Sequence, residues 1–62
     1  MASFEISADD WDAVPKNTQS RTKFLQSKGV PIDDSGKYLP NFDSVGYVLK
    51  EGQMTWVYYW NE

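Results

Sequence analysis

The chain has 62 residues, with nine acidic and six basic side chains, a net charge of −3, no cysteine and no histidine. This length allows one small domain, and a core of this size contributes only about 3–5 kcal/mol of net stability. The missing residue types exclude disulfides, thiolate chemistry and histidine as a general base or metal ligand.

Aromatic residues make up 16% of the chain, which predicts a folded domain because disordered segments are poor in aromatic residues. No apolar run reaches the roughly 20 residues of a membrane span. No signal peptide is visible at the start of the sequence. We therefore expect a complete cytoplasmic protein with no membrane partner.

Residues 3–7 alternate apolar and polar side chains, a pattern typical of a short, half-buried strand. Ser7 then begins a first helix as its N-cap, with Asp10 at the reciprocal position of a capping box. Pro15 ends this helix after about two turns.

A second helix is predicted to begin at Asn17 or Thr18, to run to Lys28 and to end at Gly29. Segment 16–28 holds four of the six basic residues and no acidic residue. One side of the helix carries polar side chains of the kind that recognition helices use on phosphates and base edges. These are Lys16, Gln19, Ser20, Lys23, Gln26 and Ser27.

The segment that follows has a turn signal at residues 33–36, which predicts a tiny hairpin or an ordered loop. Residues 17–40 resemble the recognition helix and wing of small phage excisionases and related winged-helix regulators. The resemblance implies DNA binding. The motif is generic and identifies no family, and it places Asp33 and Asp34 where those proteins usually carry basic residues.

Residues 45–50 and 53–60 are rich in β-formers and are separated by Glu51 and Gly52, which predicts a hairpin with a two-residue loop. In that register the large apolar side chains share one face, because directly opposed residues lie on the same side of a sheet. This face carries Val45, Tyr47, Leu49, Met54, Trp56, Tyr58 and Trp60.

Together these elements predict a single small α+β domain over residues 1–62. An antiparallel sheet of two or three strands, including the C-terminal aromatic hairpin, packs against one or two short helices. The expected core joins the aromatic face to Phe4, Ile6, Trp11, Phe24 and Leu25. Short helices cover only part of a sheet, so we expect exposed aromatic surface near the chain end, at residues 58–60.

The pattern does not predict an enzyme. The acidic residues fit helix starts and a turn, no histidine is present to activate a serine, and there is no glycine-rich phosphate loop. Residues 33–36 also lack the spacing of a calcium loop. We therefore expect no catalytic residue, no cofactor and no metal site.

The favoured function is that of a small regulatory or inhibitory protein, from a bacterium or a bacteriophage, that binds a larger protein partner. Tyr and Trp dominate protein–protein hot spots, and acidic residues tune orientation and association rate. The expected partner-binding residues are Tyr47, Trp56, Tyr58, Tyr59, Trp60, Asp33 and Asp34, with the residues of the last strand serving as anchors if they are exposed.

The alternative function is a winged-helix-like DNA-binding regulator of transcription or recombination. In that hypothesis the basic residues contact phosphate and the polar residues face base edges. The candidate nucleic-acid-binding residues are Lys16, Gln19, Ser20, Arg21, Lys23, Gln26, Lys28 and Lys37. The sequence also leaves open whether the aromatic face closes on a second copy of the chain, as a homodimer.

Overall fold

In the computed structural model, which describes all 62 residues, a three-stranded antiparallel sheet carries two short helices on one face. In chain order the elements are β1 (Ala2–Ser7), α1 (Ala8–Asp12), α2 (Thr18–Ser27), β2 (Phe42–Lys50) and β3 (Gln53–Trp60). The strand order is β1-β3-β2, so β3 is central and both other strands are edges. The predicted α+β class is confirmed, and residues 3–7 do belong to a third strand.

The hairpin of β2 and β3 has the predicted register, in which Tyr47 lies opposite Trp56. Its two connecting residues, Glu51 and Gly52, have φ angles of 52° and 76°. Positive φ at both positions defines the type I′ turn, whose twist matches that of the paired strands. The register shifts once, at the start of β2.

Strand β1 pairs with the other side of β3, and this pairing extends the apolar face of the hairpin. Phe4 lies opposite Tyr58, and Ile6 lies opposite Trp56. Because opposed residues share a face, both β1 side chains join the aromatic side of the sheet.

Both helices begin at the predicted cap residues. The Ser7 hydroxyl accepts a hydrogen bond from the Asp10 N–H at 3.2 Å, and Asn17 Oδ1 accepts one from the Ser20 N–H at 2.8 Å. These bonds satisfy N–H groups that have no partner inside the helix. Neither helix has the length and apolar composition needed to cross a membrane.

Helix α2 ends one residue earlier than predicted, at Ser27, and the chain then turns sharply. The Gly29 N–H donates to the Gln26 carbonyl at 3.0 Å, and the Val30 N–H donates to the Leu25 carbonyl at 3.1 Å. This is the Schellman pattern, and it requires the positive φ of 90° that Gly29 adopts. The turn directs Val30 into the core.

The core lies between the helices and the sheet. Its buried members are Ile6, Leu25, Val30, Ile32, Tyr58 and Trp60. Half-buried side chains pack around them, namely Ala2, Phe4, Trp11, Phe24, Phe42 and Trp56. Among the buried members, the sequence analysis missed Val30 and Ile32, which the loop after α2 contributes.

The segment after α2 is an ordered loop in which one isolated bridge joins Ile32 to Tyr38. The Asp33 carboxylate holds the interior of this loop. Its Oδ1 accepts hydrogen bonds from the N–H groups of Ser35 and Lys37, each at 2.9 Å. It also accepts one from the Ser35 hydroxyl at 2.6 Å. The carboxylate therefore replaces the regular pairing that a longer hairpin would supply.

The same loop packs closely against α2 at Gly36, which has a φ of 89°. A Cβ atom at this position would lie 3.0 Å from Thr18 Cγ2 and 3.2 Å from Thr22 Oγ1. Glycine is required here for both its backbone conformation and its lack of a side chain.

Candidate protein-binding surface

Apolar side chains remain exposed at the turn end of the hairpin, on the face that carries the helices. We call this surface the tip patch; its members are the exposed Val45, Tyr47, Leu49 and Met54 together with the half-buried Trp56. Leu49 is 70% exposed and Tyr47 is 67% exposed. The register places Leu49 opposite Met54 and Tyr47 opposite Trp56, so the members are neighbours on one face. Contiguous apolar surface of this kind is typical of interaction sites.

The tip patch is exposed because the covering layer is too short. Helix α1 has five residues and α2 has ten. α2 and the loop that follows it cover the opposite end of the sheet, where Leu25 and Ile32 pack in one cluster with Trp60. At the turn end only the start of α1 lies nearby, where Ala8 and Asp9 line a depression together with Gly52 and Met54.

Tyr47 and Trp56 connect the tip patch to the core. Their ring centroids are 5.6 Å apart and the ring planes meet at 71°, an edge-to-face arrangement that aromatic pairs prefer. Trp56 is half-buried and lies opposite Ile6 of β1. Contact with the core holds Trp56 in place, and Trp56 in turn positions the exposed Tyr47.

The backbone of β2 adds unpaired polar groups to the same surface. In a two-residue hairpin the two residues that flank the turn, here Lys50 and Gln53, form a hydrogen-bonded pair. Moving away from the turn, hydrogen-bonded and non-hydrogen-bonded pairs alternate, and residues of the non-hydrogen-bonded pairs direct their N–H and C=O groups away from the partner strand. This rule places the outward-directed groups at Val45, Tyr47 and Leu49. Because β2 is an edge strand, no neighbouring strand satisfies them.

The structure corrects the expectation of exposed aromatic surface at the chain end. Tyr58 and Trp60, offered as anchors if exposed, are only 6% and 8% exposed. Helix α2 and the following loop cover both side chains, so they belong to the core and not to the tip patch. Burial, together with the nearby Tyr38 phenol, raises the pKa of Tyr58 above its ordinary value.

Tyr59 lies on the opposite face of the sheet and is 39% exposed. That face carries no helix, yet Thr55 and Val57 on the central strand are buried. A salt bridge from Lys50 Nζ to Glu5 Oε2, 2.6 Å long, joins the two edge strands across β3. The hydrogen bond to Glu5 raises the pKa of Lys50. The face around Tyr59 therefore combines this ion pair with Val48, which is 46% exposed.

Asp33 and Asp34, the acidic residues predicted to help bind a partner, lie in the loop after α2 and are not brought together with the tip patch. The hydrogen bonds from Ser35 and Lys37 lower the pKa of Asp33 below its ordinary value. Asp34 Oδ1 accepts a hydrogen bond from Gln26 Nε2 at 3.0 Å. Both carboxylates make contacts inside the chain, and their predicted role toward a partner stays a prediction.

The polar face of α2 is partly occupied by contacts within the chain. The Arg21 guanidinium lies 5.0 Å from the centre of the Trp11 ring, and Lys28 Nζ lies 5.5 Å from that of Phe24. Gln26 Nε2 donates to the Ile32 carbonyl as well as to the Asp34 carboxylate. The remaining candidates are less constrained: Lys16, Gln19, Lys23 and Lys37 are exposed, and Ser20 is half-buried.

The sequence analysis missed Val45, Leu49 and Met54 as surface residues. Their place on the aromatic face was predicted from the hairpin register, but that face was assigned to the core. The sequence signal for their exposure was the length of the predicted elements, since two short helices cannot extend to the end of a nine-residue strand.

No three acidic side chains are arranged to hold a metal ion. The largest surface depression, of about 400 Å³, lies between β1 and the helices and includes Glu5, Asp10 and Lys28. Its one hydroxyl, on Ser7, accepts the N-cap hydrogen bond from the Asp10 N–H, and the depression does not extend to the tip patch.

Comparison with known proteins adds no relative to this description. No protein-family model matches the chain, and neither curated proteins nor solved structures give a match. The function of the chain is therefore inferred from the residues described above.

Proposed function

We propose that this protein is a non-catalytic binding module that attaches to a larger protein partner through the tip patch and so regulates or inhibits that partner. The observation that carries the proposal is the exposure of Leu49 and Tyr47, at 70% and 67%, on a strand whose outer backbone groups are unpaired. Aromatic residues presented in this way are frequent anchors of protein interfaces.

The energetics of a small domain support this proposal. Full burial of one large apolar side chain contributes about 1.5–3 kcal/mol, which is comparable to the whole net stability of a domain of this size. The chain nevertheless leaves Tyr47 and Leu49 in water. A partner that covers both side chains supplies the burial that the fold does not.

The surroundings of the tip patch also suit a protein partner. The five patch side chains carry no charge, and Glu51 follows directly at the turn. Lys50 does not belong to this surface, because it is paired with Glu5 on the opposite face. The cores of protein–protein interfaces are depleted of charged residues in the same way.

DNA binding by α2 is the second candidate function. Lys23 on α2 and Lys16, which precedes the helix, are both exposed, and segment 16–28 has no acidic residue to repel phosphate. Against this function, the Asp34 carboxylate is bound to Gln26, at the face that would read base edges. A negative charge there disfavours approach to a phosphate backbone, which is why we place this function second.

The test of the proposed function is capture of a partner from a lysate of the natural host. The bait proteins are the wild type, Leu49→Lys in the tip patch, and Tyr59→Lys as a matched control on the opposite face. We expect the wild type and the control to retain one specific protein and Leu49→Lys to lose it at least about tenfold, since a charge in an interface core is unfavourable. Equal capture of that protein by Leu49→Lys contradicts the proposal.

A further inference from the structure

The central part of β2 lacks the features that usually prevent edge strands from pairing. Within residues 45–49 there is no charge, no proline and no bulge. The register shift at the start of β2 precedes this stretch, and Lys50 follows it. At Gly46 there is also open space, since an added Cβ would meet nothing within 4 Å. Such an edge is a template for a further strand.

The backbone pattern selects how a second strand would pair. In an antiparallel ladder, outward-directed residues of one strand bond to outward-directed residues of the next. The register that uses all three such positions places Tyr47 opposite Tyr47 of a second copy and Val45 opposite Leu49 of that copy. Every pair on the tip-patch face is then apolar, and cross-strand pairs of this type stabilise a sheet.

We propose that the occupant of the β2 edge is a second copy of this chain. The two β2 strands pair antiparallel about a two-fold axis at Tyr47, and two three-stranded sheets become one sheet of six strands. The inference rests on the proposed function in one respect, because it treats the tip patch as an interaction surface.

Charge complementarity on the opposite face supports this occupant. In the same register Lys50 of one copy lies opposite Ser44 of the other. The Ser44 hydroxyl donates to Asp43 Oδ2 at 3.0 Å, so the Asp43 carboxylate lies on the side that this lysine approaches. Lys50 is already paired with Glu5 of its own chain, and Asp43 of the other copy would give it a second carboxylate neighbour. The two-fold axis repeats this contact at the other end of the interface. A register displaced by two residues places Asp43 opposite Leu49, a charged group against an apolar one.

The proposed symmetry has a consequence for the larger partner. When identical strands pair antiparallel, the two-fold axis is perpendicular to the sheet, and the same face of both copies points the same way. The two tip patches become one continuous apolar surface between the helices of the two copies. The partner of the proposed function would bind to this joint surface.

The first test is sedimentation equilibrium of the purified chain from about 10 µM to about 1 mM, the range in which a modest interface associates. We expect a monomer–dimer equilibrium. Leu49→Lys should raise the dissociation constant about tenfold or more, because a two-fold interface contains the changed residue twice. Tyr59→Lys, on the opposite face, should leave it unchanged. A wild type that stays monomeric over the whole range overturns the inference.

The second test reports the register by disulfide cross-linking. The chain has no cysteine of its own, so an introduced cysteine can pair only with its counterpart in the other copy. Under mild oxidation Tyr47→Cys should form a disulfide-linked dimer, because directly opposed residues have Cα atoms about 5.5 Å apart, within disulfide range. Leu49→Cys should not, since its counterpart in the other copy is Val45. Equal cross-linking of both variants overturns the proposed register.

The outcomes also separate this inference from the proposed function. A monomeric wild type that still captures a partner through Leu49 overturns the dimer and leaves the proposed function standing. A dimer linked at Tyr47 that captures nothing supports the dimer and contradicts the proposed function.

Discussion

Tyr47 and Trp56 face each other across the hairpin, with ring centroids 5.6 Å apart, but their environments differ sharply. Trp56 is half-buried against the core, whereas Tyr47 is 67% exposed. The boundary between the core and the tip patch lies at this pair of side chains. The proposed function requires residues on the exposed side of this pair to contribute to binding and residues on the core side to contribute to stability.

Two leucine-to-alanine substitutions test the boundary between core and patch. Leu25 is 4% exposed and Leu49 is 70% exposed. Leu25→Ala should lose about 2–5 kcal/mol of unfolding free energy, which is comparable to the total for a domain of this size. Leu49→Ala should change it by less than about 0.5 kcal/mol, as surface substitutions do. Urea denaturation followed by circular dichroism measures both, and equal losses would place the tip patch inside the core.

Gly36→Ala should destabilise the loop after α2. The substituted residue would have to adopt a φ of 89° and place its Cβ atom 3.0 Å from Thr18 Cγ2. A non-glycine residue in such a conformation costs about 1–3 kcal/mol. Gly46→Ala is the matched control, since space is open around Gly46. Thermal unfolding should show a clear loss of stability for Gly36→Ala and no loss for Gly46→Ala.

The stability of the protein should decrease in acid partly through Asp33. Its pKa is lower in the folded chain than the ordinary value of 3.8 because Ser35 and Lys37 donate hydrogen bonds to the carboxylate. Because the pKa of Asp33 is depressed, its ionised carboxylate stabilises the fold at pH values above 3.8. This contribution is lost as the pH falls through the pKa of the folded state, which lies below 3.8.

Asp33→Asn isolates this contribution to acid stability. The variant should be less stable than the wild type at about pH 6 and should approach the wild type as the pH drops below the folded pKa. Urea denaturation at a series of pH values measures the difference. A difference that stays constant with pH would show that the charge of Asp33 is not the cause.

Titration with duplex DNA tests the alternative function. We expect no chemical-shift change at the backbone amides of α2 when the isotope-labelled protein is mixed with random-sequence duplex at low salt. Phosphate contacts are strongest at low salt, so weak binding would be detected there. Shifts grouped at Lys16, Gln19 and Lys23, removed by Lys23→Ala, would favour the DNA-binding function over the protein-binding one.

The hairpin and the helix starts could be predicted because their signals are local. Two β-rich runs around Glu51 and Gly52 determine the register, since a displaced register would mix polar and apolar side chains on both faces. Ser7 and Asn17 are strong N-cap residues next to helix-forming segments. Neither prediction requires knowledge of distant parts of the chain.

The location of the exposed surface could not be predicted because it depends on long-range packing. Residues 58–60 stand near the chain end, yet β1 pairs beside them and Val30 and Ile32 pack in the same cluster. These two residues flank a proline in a segment predicted as a loop or a tiny hairpin, so they were not expected in the core. The salt bridge of Glu5 with Lys50 joins residues 45 positions apart in sequence, and no local pattern predicts it.

The most direct measurement of the central claim is site-specific photo-cross-linking in a lysate of the natural host. A photo-reactive phenylalanine analogue replaces Tyr47 in one protein and Tyr59, on the opposite face, in a second. The account predicts that the Tyr47 position cross-links to one larger host protein, that added unlabelled wild type competes for it, and that the Tyr59 position gives little or no product. Cross-linking of that protein mainly from the Tyr59 position would contradict the assignment of the tip patch as the binding surface.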